Sequence, residues 1–387
     1  MSGFRIAVRA FPPFESAIRK QWQSFESRAR TGLELEAVPL DLHPLHSALF
    51  GPSDTPWDAA FVVTDWIAEA AASNTLLDLA PYLAADPPEG YPDAWTPSLL
   101  RFQHTDGRVL GLPYHDGPEC LVYRKDLFED AGLSPPRTWS EFHEIARRLH
   151  RPAENRYGAV FAAYPDGHNT VYDFCLQLWN RGGELFDGHG QPALRTDAAR
   201  EALGFYRGIL RDPSAVHPGC AGFDSVKSGY AFAGGEAALM ANWFGFAALC
   251  EASPDSKVRG KVAVASLPGG ISLNVYWTLA APANCTRPDL SWRFLRHCAS
   301  AAMDKLLTLE GGIGCRKSTW NDAEVNTAIP FYAEMERLHE GARELPRMAR
   351  WPGIAAAIDR LVLDAIGTDR PEIDLLAEAQ HRIARLL

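Results

Sequence analysis

Residues 107–149, GRVLGLPYHDGPECLVYRKDLFEDAGLSPPRTWSEFHEIARRL, constrain the fold more than any other stretch of the chain. Two strand-like pieces, 108–112 and 120–123, flank a Pro-Tyr turn at Pro113 and Tyr114. A short acidic helix follows. The Pro135-Pro136 spacer then interrupts regular structure, because proline lacks the backbone donor that helices and sheets need. Thr138 and Glu141 form a capping box ahead of Phe142, Ile145, Ala146 and Leu149, which recur at helical spacing. Strands alternating with helices at this rate predict an α/β architecture.

The remaining chain continues the alternation. Residues 4–10 read as a buried strand. Phe14, Ile18, Trp22 and Phe25 mark a helix, with Gly32 placed to end it. Leu33, Leu35 and Ala37 alternate with glutamates at strand period. The apolar run 57–63 suits a parallel strand buried on both faces. Helices are expected at 171–181 and 197–211, and a strand at 238–241 with a helix beginning at Asn242. Strands at 261–266 and 275–281 precede a helix at 290–299. Ile354, Ile358, Leu361 and Val362 mark one closing helix, and Leu375, Leu376, Ala379 and Ile383 the other. The sequence shows no internal repeat or low-complexity segment.

At 387 residues the chain is long enough for two domains. Its net charge of -10 disfavours nucleic acid as a partner. The seven cysteines include no CxxC pair, so a zinc or thioredoxin-like site is not expected. They read as small buried side chains, with room for a disulfide or two. The start, MSGFRIAVRAF, lacks a basic n-region, a long apolar h-region and a small-residue cleavage site. No stretch is apolar enough to span a membrane. The chain is therefore expected to be soluble, either after removal of a leader or as a cytoplasmic protein. Nucleophile-elbow, HExxH, P-loop and dinucleotide fingerprints are absent, and no enzyme, cofactor or metal is expected.

Five pieces, in order, carry a resemblance. They are the run 57–65 leading to Leu76-Leu77-Asp78-Leu79; GLPYHDGPECLVYRKDLFEDAGLSPPRTWSEF; FAGGEAALMANW, with Glu236 where lysine is common; the segment Tyr276-Trp277-Thr278-Leu279-Ala280; and GGIGCRKS, where Gly314 and Cys315 depart from the usual proline. Together they resemble the bacterial extracellular solute-binding proteins, family 1, the maltose-binding-protein-like sugar-binding components of ABC importers. The resemblance implies a two-lobe periplasmic-binding-protein clamp, type II-like, each lobe a mainly parallel sheet flanked by helices, with multiple hinge crossovers. The first lobe would be 1–112 plus 279–318 and the second 113–278 plus 319–387, with the ligand cleft between them. It further implies a carbohydrate ligand, a membrane permease partner, a monomer, and a periplasmic or extracytoplasmic location.

Sugars offer apolar C–H faces and hydroxyl rims, so aromatic and polar residues at strand ends are the candidates. These are Phe11, Asp65, Trp66, Tyr114, His115, Asp116, Asn242, Trp243, Trp277, Gly311, Gly312, Arg316, Arg350 and Trp351. Asp65, Asp116 and Asn242 would bond hydroxyls, while Trp66, Trp243 and Trp277 would stack on rings. Plain structural alternatives stand beside them: loop packing for Phe11, helix capping for Asp65, core packing for Trp277, a helix C-cap for Gly311 and Gly312, and a surface ion pair for Arg316. Tyr164, His168 and Asn180 are weaker candidates. Two alternatives stay open: a polyamine or other small-solute binder using Asp65, Asp116 and Glu119, and a cleft enzyme. A ferric-ion clamp is disfavoured, because the chain has no Tyr-Tyr pair.

Overall fold

The computed structural model describes residues 3–52 and 56–387. Contacts divide the chain into two compact units. The first contains residues up to Gly117, Val275–Met335 and Leu345–Ala349; the second contains Pro118–Asn274, Glu336–Glu344 and Arg350–Leu387. The expected crossing points 112/113 and 278/279 thus move to 117/118 and 274/275, and 319–335 stays with the first unit. The physical reason is strand pairing: Leu112–His115 and Trp277–Ala280 bond to each other and remain whole.

The first unit holds a five-stranded sheet in the order Glu34–Leu40, Gly3–Arg9, Ala59–Val63, Trp277–Ala280, Leu112–His115. The first three strands are parallel, with Ile6 opposite both Ala37 and Ala59. Ala59–Val63 is buried throughout, which explains its unbroken apolar sequence. The edge strand Glu34–Leu40 is half-exposed, alternates Glu with apolar residues and tolerates Pro39, which cannot donate to a ladder. Trp277–Ala280 runs antiparallel between two neighbours, pairing Leu279 with Phe61 on one side and with Leu112 on the other. The sheet is therefore mixed rather than mainly parallel, and Pro113 and Tyr114 lie inside a strand rather than in a turn.

Helix Pro12–Ala29 covers this sheet with Phe14, Ile18, Trp22 and Phe25, as its periodicity predicts. Phe4 stacks on Trp22 at 4.6 Å and meets Phe294 edge-on at 5.2 Å. The helix ends at Arg30, whose φ of 49° is left-handed, ahead of the expected stop at Gly32.

The second unit holds a four-stranded sheet in the order Val262–Ala265, Glu119–Arg124, Ala237–Trp243, Tyr157–Val160. Only Tyr157–Val160 pairs parallel to its neighbour; the other two pairings are antiparallel. Ala237–Trp243 is longer than expected, so Asn242 and Trp243 end a strand, and the helix starts at Phe244. Helix Trp139–Leu149 begins as its capping box predicts, with Thr138 accepting from the Glu141 amide at 3.1 Å. Helix Asn169–Trp179 is buried on every side and packs on Asp197–Leu210 and Trp351–Gly367. All seven cysteines are free thiols, and Cys285 is the half-buried one among buried others. No helix among the described residues is long and apolar enough to cross a membrane.

Gly158 shows how tightly the second unit closes. A Cβ there would lie 1.9 Å from the Ala146 carbonyl oxygen and 2.6 Å from that of Ala215. Both obstacles are backbone, so neither can yield cheaply. Gly158→Ala should destabilise the protein by about 1–3 kcal/mol in denaturant titration. Gly188→Ala, whose added methyl meets nothing within 4 Å, should change stability by less than about 0.5 kcal/mol.

Candidate ligand-binding site

In the first sheet, strands Gly3–Arg9, Ala59–Val63 and Leu112–His115 share one direction and Trp277–Ala280 runs against them. Phe11, Asp65, Trp66, His115 and Trp277 therefore gather at one sheet end, where open α/β sheets bind ligands. Trp277 pairs with His115 across the ladder. Its ring meets Trp66 edge-on at 6.1 Å. Trp66 is buried against His46 and Phe50, whereas Trp277 keeps part of its face open. Phe11 is buried on Phe14, and Phe14 in turn meets the His115 ring at 4.6 Å. Asp65 sits in the turn Thr64–Trp66, on the wall of a cavity of about 280 Å³ shared with His104, Asp106, Val275 and Arg347.

His115 is a neutral element of this group. Burial lowers its pKa to about 4, partly opposed by Asp116. Its Nδ1 accepts from the Ile313 amide at 2.9 Å, which leaves the proton on Nε2. Asp116 is buried, and its amide donates to the Ile313 carbonyl at 3.0 Å.

Several expected site residues hold the fold instead. The Tyr114 hydroxyl donates to Gln21 at 2.8 Å in the core. Asn242 donates to the Ser225 carbonyl at 3.1 Å and the Ser228 hydroxyl at 3.0 Å, and accepts from the Trp243 amide at 2.8 Å. Arg316 makes no surface ion pair among the described residues. It is buried, donates to the carbonyls of Ala299 and Glu89 at 2.9 Å each, and lies over the Trp95 ring at 4.5 Å.

The GGIGCRKS loop is pinned by Asp304, which accepts from the amides of Cys315 and Arg316 and from the Thr319 hydroxyl. Two contacts require glycine at 314. Its amide donates to Thr308 at 2.9 Å, and a Cβ would lie 2.3 Å from an Asp304 oxygen. Gly312 is required by packing, since its Cβ would lie 2.4 Å from Leu307; Gly311 has a left-handed φ of 96°.

In the second sheet, Glu119 begins one strand and pairs with Trp243 at the end of the next. The Trp243 ring is partly exposed and meets Tyr172 edge-on at 5.7 Å, and Tyr172 meets His168 at 5.6 Å. Tyr164 is 47% exposed, and Asn180 is bonded to the Leu176 carbonyl. Arg350 and Trp351 open the helix Trp351–Gly367; Arg350 bonds the Leu386 carbonyl and Trp351 is buried. Tyr172, Asp173 and Asn274 were not among the expected residues, although a carboxylate inside the apolar run of Asn169–Trp179 marks Asp173 out. No cluster suited to a metal ion occurs among the described residues.

The sequence model of the bacterial extracellular solute-binding protein family matches residues 46–305. The chain belongs to that family. Among curated members, a mannitol-binding protein from Pseudomonas aeruginosa is 27% identical over 70% of this chain and 67% of its own length. Matches to the first curated relatives cover between 54% and 67% of those proteins. Among solved solute-binding proteins, maltose-bound MalE3 of T. maritima has a TM-score of 0.89 at 24% identity, covering 99% of each chain. A ribitol complex of a solute-binding protein from Agrobacterium radiobacter K84 also reaches 0.89 at 24% identity, over 99% of this chain and 98% of that one. These likenesses show a two-lobe solute-binding fold with mixed α/β sheets.

The half-buried imidazole supplies a prediction for the first unit. Because the folded pKa of His115 lies below its unfolded value, the unfolded state binds the extra proton as pH falls from about 6.5 to about 4. Stability of the ligand-free protein should decline through that window by up to roughly 3 kcal/mol. His115→Gln should flatten the slope, measured by urea unfolding across the range.

Proposed function

We propose that this protein is the substrate-binding component of an ABC importer, and that it captures a small polyhydroxylated ligand, a sugar or alditol, by closure of its two units. The observation that carries the reading is the pair of aromatic groups at the binding ends of the two sheets. Trp277 on Trp66, with the neutral His115, occupies the first unit; Trp243 on Tyr172 occupies the second. Aromatic faces cover the C–H side of a polyol, and uncharged donors suit hydroxyls.

Relatives bind ligands of this chemistry. A mannitol-binding and an arabinooligosaccharide-binding protein are among the curated ones, and similar folds hold maltose, ribitol, D-mannitol and α-D-tagatose. The reading assigns no catalytic residue. It places the protein outside the cytoplasmic membrane as a monomer that delivers its ligand to a permease. The thiols are compatible with an oxidising compartment, because burial pushes Cys120, Cys175, Cys220, Cys250, Cys298 and Cys315 up and keeps them unreactive.

Titration calorimetry against ribitol, D-mannitol, D-tagatose and maltose tests the reading. At least one should bind, and Trp243→Ala should weaken it by about 1–3 kcal/mol, roughly 10- to 100-fold. Unchanged affinity in a folded variant would remove Trp243 from the site.

A further inference from the structure

Three buried polar atoms in the second unit are left without hydrogen-bond partners in a place that ordinary packing does not explain. Glu119 is 3% exposed, and its Oε2 has no partner among the described residues. Asn274 is 2% exposed, and neither its Oδ1 nor its Nδ2 has one. Most buried side-chain polar atoms in folded proteins are paired, because one that is not has lost its hydration without compensation. An amide lacking partners at both ends has no structural purpose of its own.

The two residues are neighbours in the fold. Segment Ser272–Leu273, which leads directly into Asn274, packs on strand Glu119–Arg124 and helix Asn169–Trp179. The Ser272 hydroxyl donates to the Glu119 carbonyl at 2.5 Å, and the Asn274 amide N–H donates to the Arg343 carbonyl at 3.0 Å. Both main chains are thus fixed while Oε2 of Glu119 and both amide atoms of Asn274 stay uncommitted. Glu119 is also the ladder partner of Trp243. Each residue lies next to a chain crossing, at 117/118 or at 274/275.

Resting on the reading above, we propose that Glu119 and Asn274 form the part of the ligand site that reads hydroxyl groups, and that they set specificity for a ligand with adjacent hydroxyls over one with amines. A carboxylic acid and a carboxamide each offer one acceptor beside a donor, which matches a diol, whose hydroxyls both donate and accept. An ammonium group has donors only and would leave the Asn274 Nδ2 unmatched.

The surroundings favour the acid form of Glu119. Burial first, and the Asp173 carboxyl second, push it well above the usual range. Asp173 lies on helix Asn169–Trp179, is itself raised by burial, and accepts from the Tyr206 hydroxyl at 2.6 Å. Glu119 in turn acts on the Tyr206 hydroxyl, on the Cys120 thiol of its own strand, which also feels Arg337, and on the Cys175 thiol of the Asp173 helix, which also feels Arg343 and Glu184.

The test uses the full chain and calorimetric titration with ribitol, D-mannitol, D-tagatose, maltose and spermidine, with ligand-free melting recorded for each variant. Asn274→Ala and Glu119→Ala should each weaken polyol or sugar binding about tenfold or more. Glu119→Gln, which keeps donor and acceptor, should stay within about threefold of the parent near pH 6. Parent affinity should fall as rising pH ionises the raised acid, and the Gln variant should be flat. Parent binding of a sugar that all three variants match would overturn this inference alone. So would a Gln variant as weak as the Ala variant near pH 6. Failure of every sugar and alditol to bind the parent would overturn the functional reading and this inference with it. If Glu119→Ala does not fold, the Gln and Asn274 variants carry the test.

Discussion

The structure depends on one strand, Trp277–Ala280, being clasped between Ala59–Val63 and Leu112–His115. Its position inside the sheet is fixed by more than the ladder. Thr278 is fully buried and its hydroxyl donates to the Val62 carbonyl at 2.9 Å. The neighbouring chain must carry glycine at 111, because a Cβ there would lie 2.7 Å from the Thr278 hydroxyl oxygen. The partners Val62 and Thr278 are 216 residues apart in sequence, so the first unit cannot complete its sheet until the chain has passed through most of the second. The long segment Pro118–Asn274 is in effect an insertion between two adjacent strands. The same insertion sets Trp277 against Trp66 and beside His115, so the pairing that closes the core also assembles the first aromatic group.

Polar residues in the two units fall into two sets. Tyr114, Asn242 and Arg316 have internal partners and hold strands, a helix and a loop in place. Their chemistry would suit a sugar equally well, but their atoms are already engaged. Glu119 and Asn274 have fixed main chains and uncommitted ends. This contrast separates a ligand-facing role from a structural one better than residue type does.

Periodicity made much of the fold legible. The helix carrying Phe14, Ile18, Trp22 and Phe25, the capping box at Thr138 and the buried run ending at Val63 all stand where their patterns place them. Strand direction was not legible, because a buried antiparallel strand such as Trp277–Ala280 reads like a parallel one. The strand Ala237–Trp243 ran past its expected end because Asn242, a poor strand former, is held there by Ser225 and Ser228 from a separate helix. Trp243 and Trp277 keep part of their surface open, whereas Trp66 and Trp351 are buried. The availability of an asparagine or arginine depends likewise on partners distant in sequence. The sequence offers Glu119 only as one acid of a polyamine site; its setting beside Asp173 and the segment leading to Asn274 comes from the fold.

The central claim is that the two sheet ends take a neutral polyhydroxylated solute. A thermal-shift screen of the intact chain against alditols, monosaccharides, oligosaccharides, sugar acids, polyamines and ferric ion tests it most directly. A concentration-dependent rise in Tm for one alditol or sugar class is the predicted result, since a ligand that binds only the native state stabilises it. A rise confined to polyamines or metal, or none with any sugar or alditol, would contradict the claim.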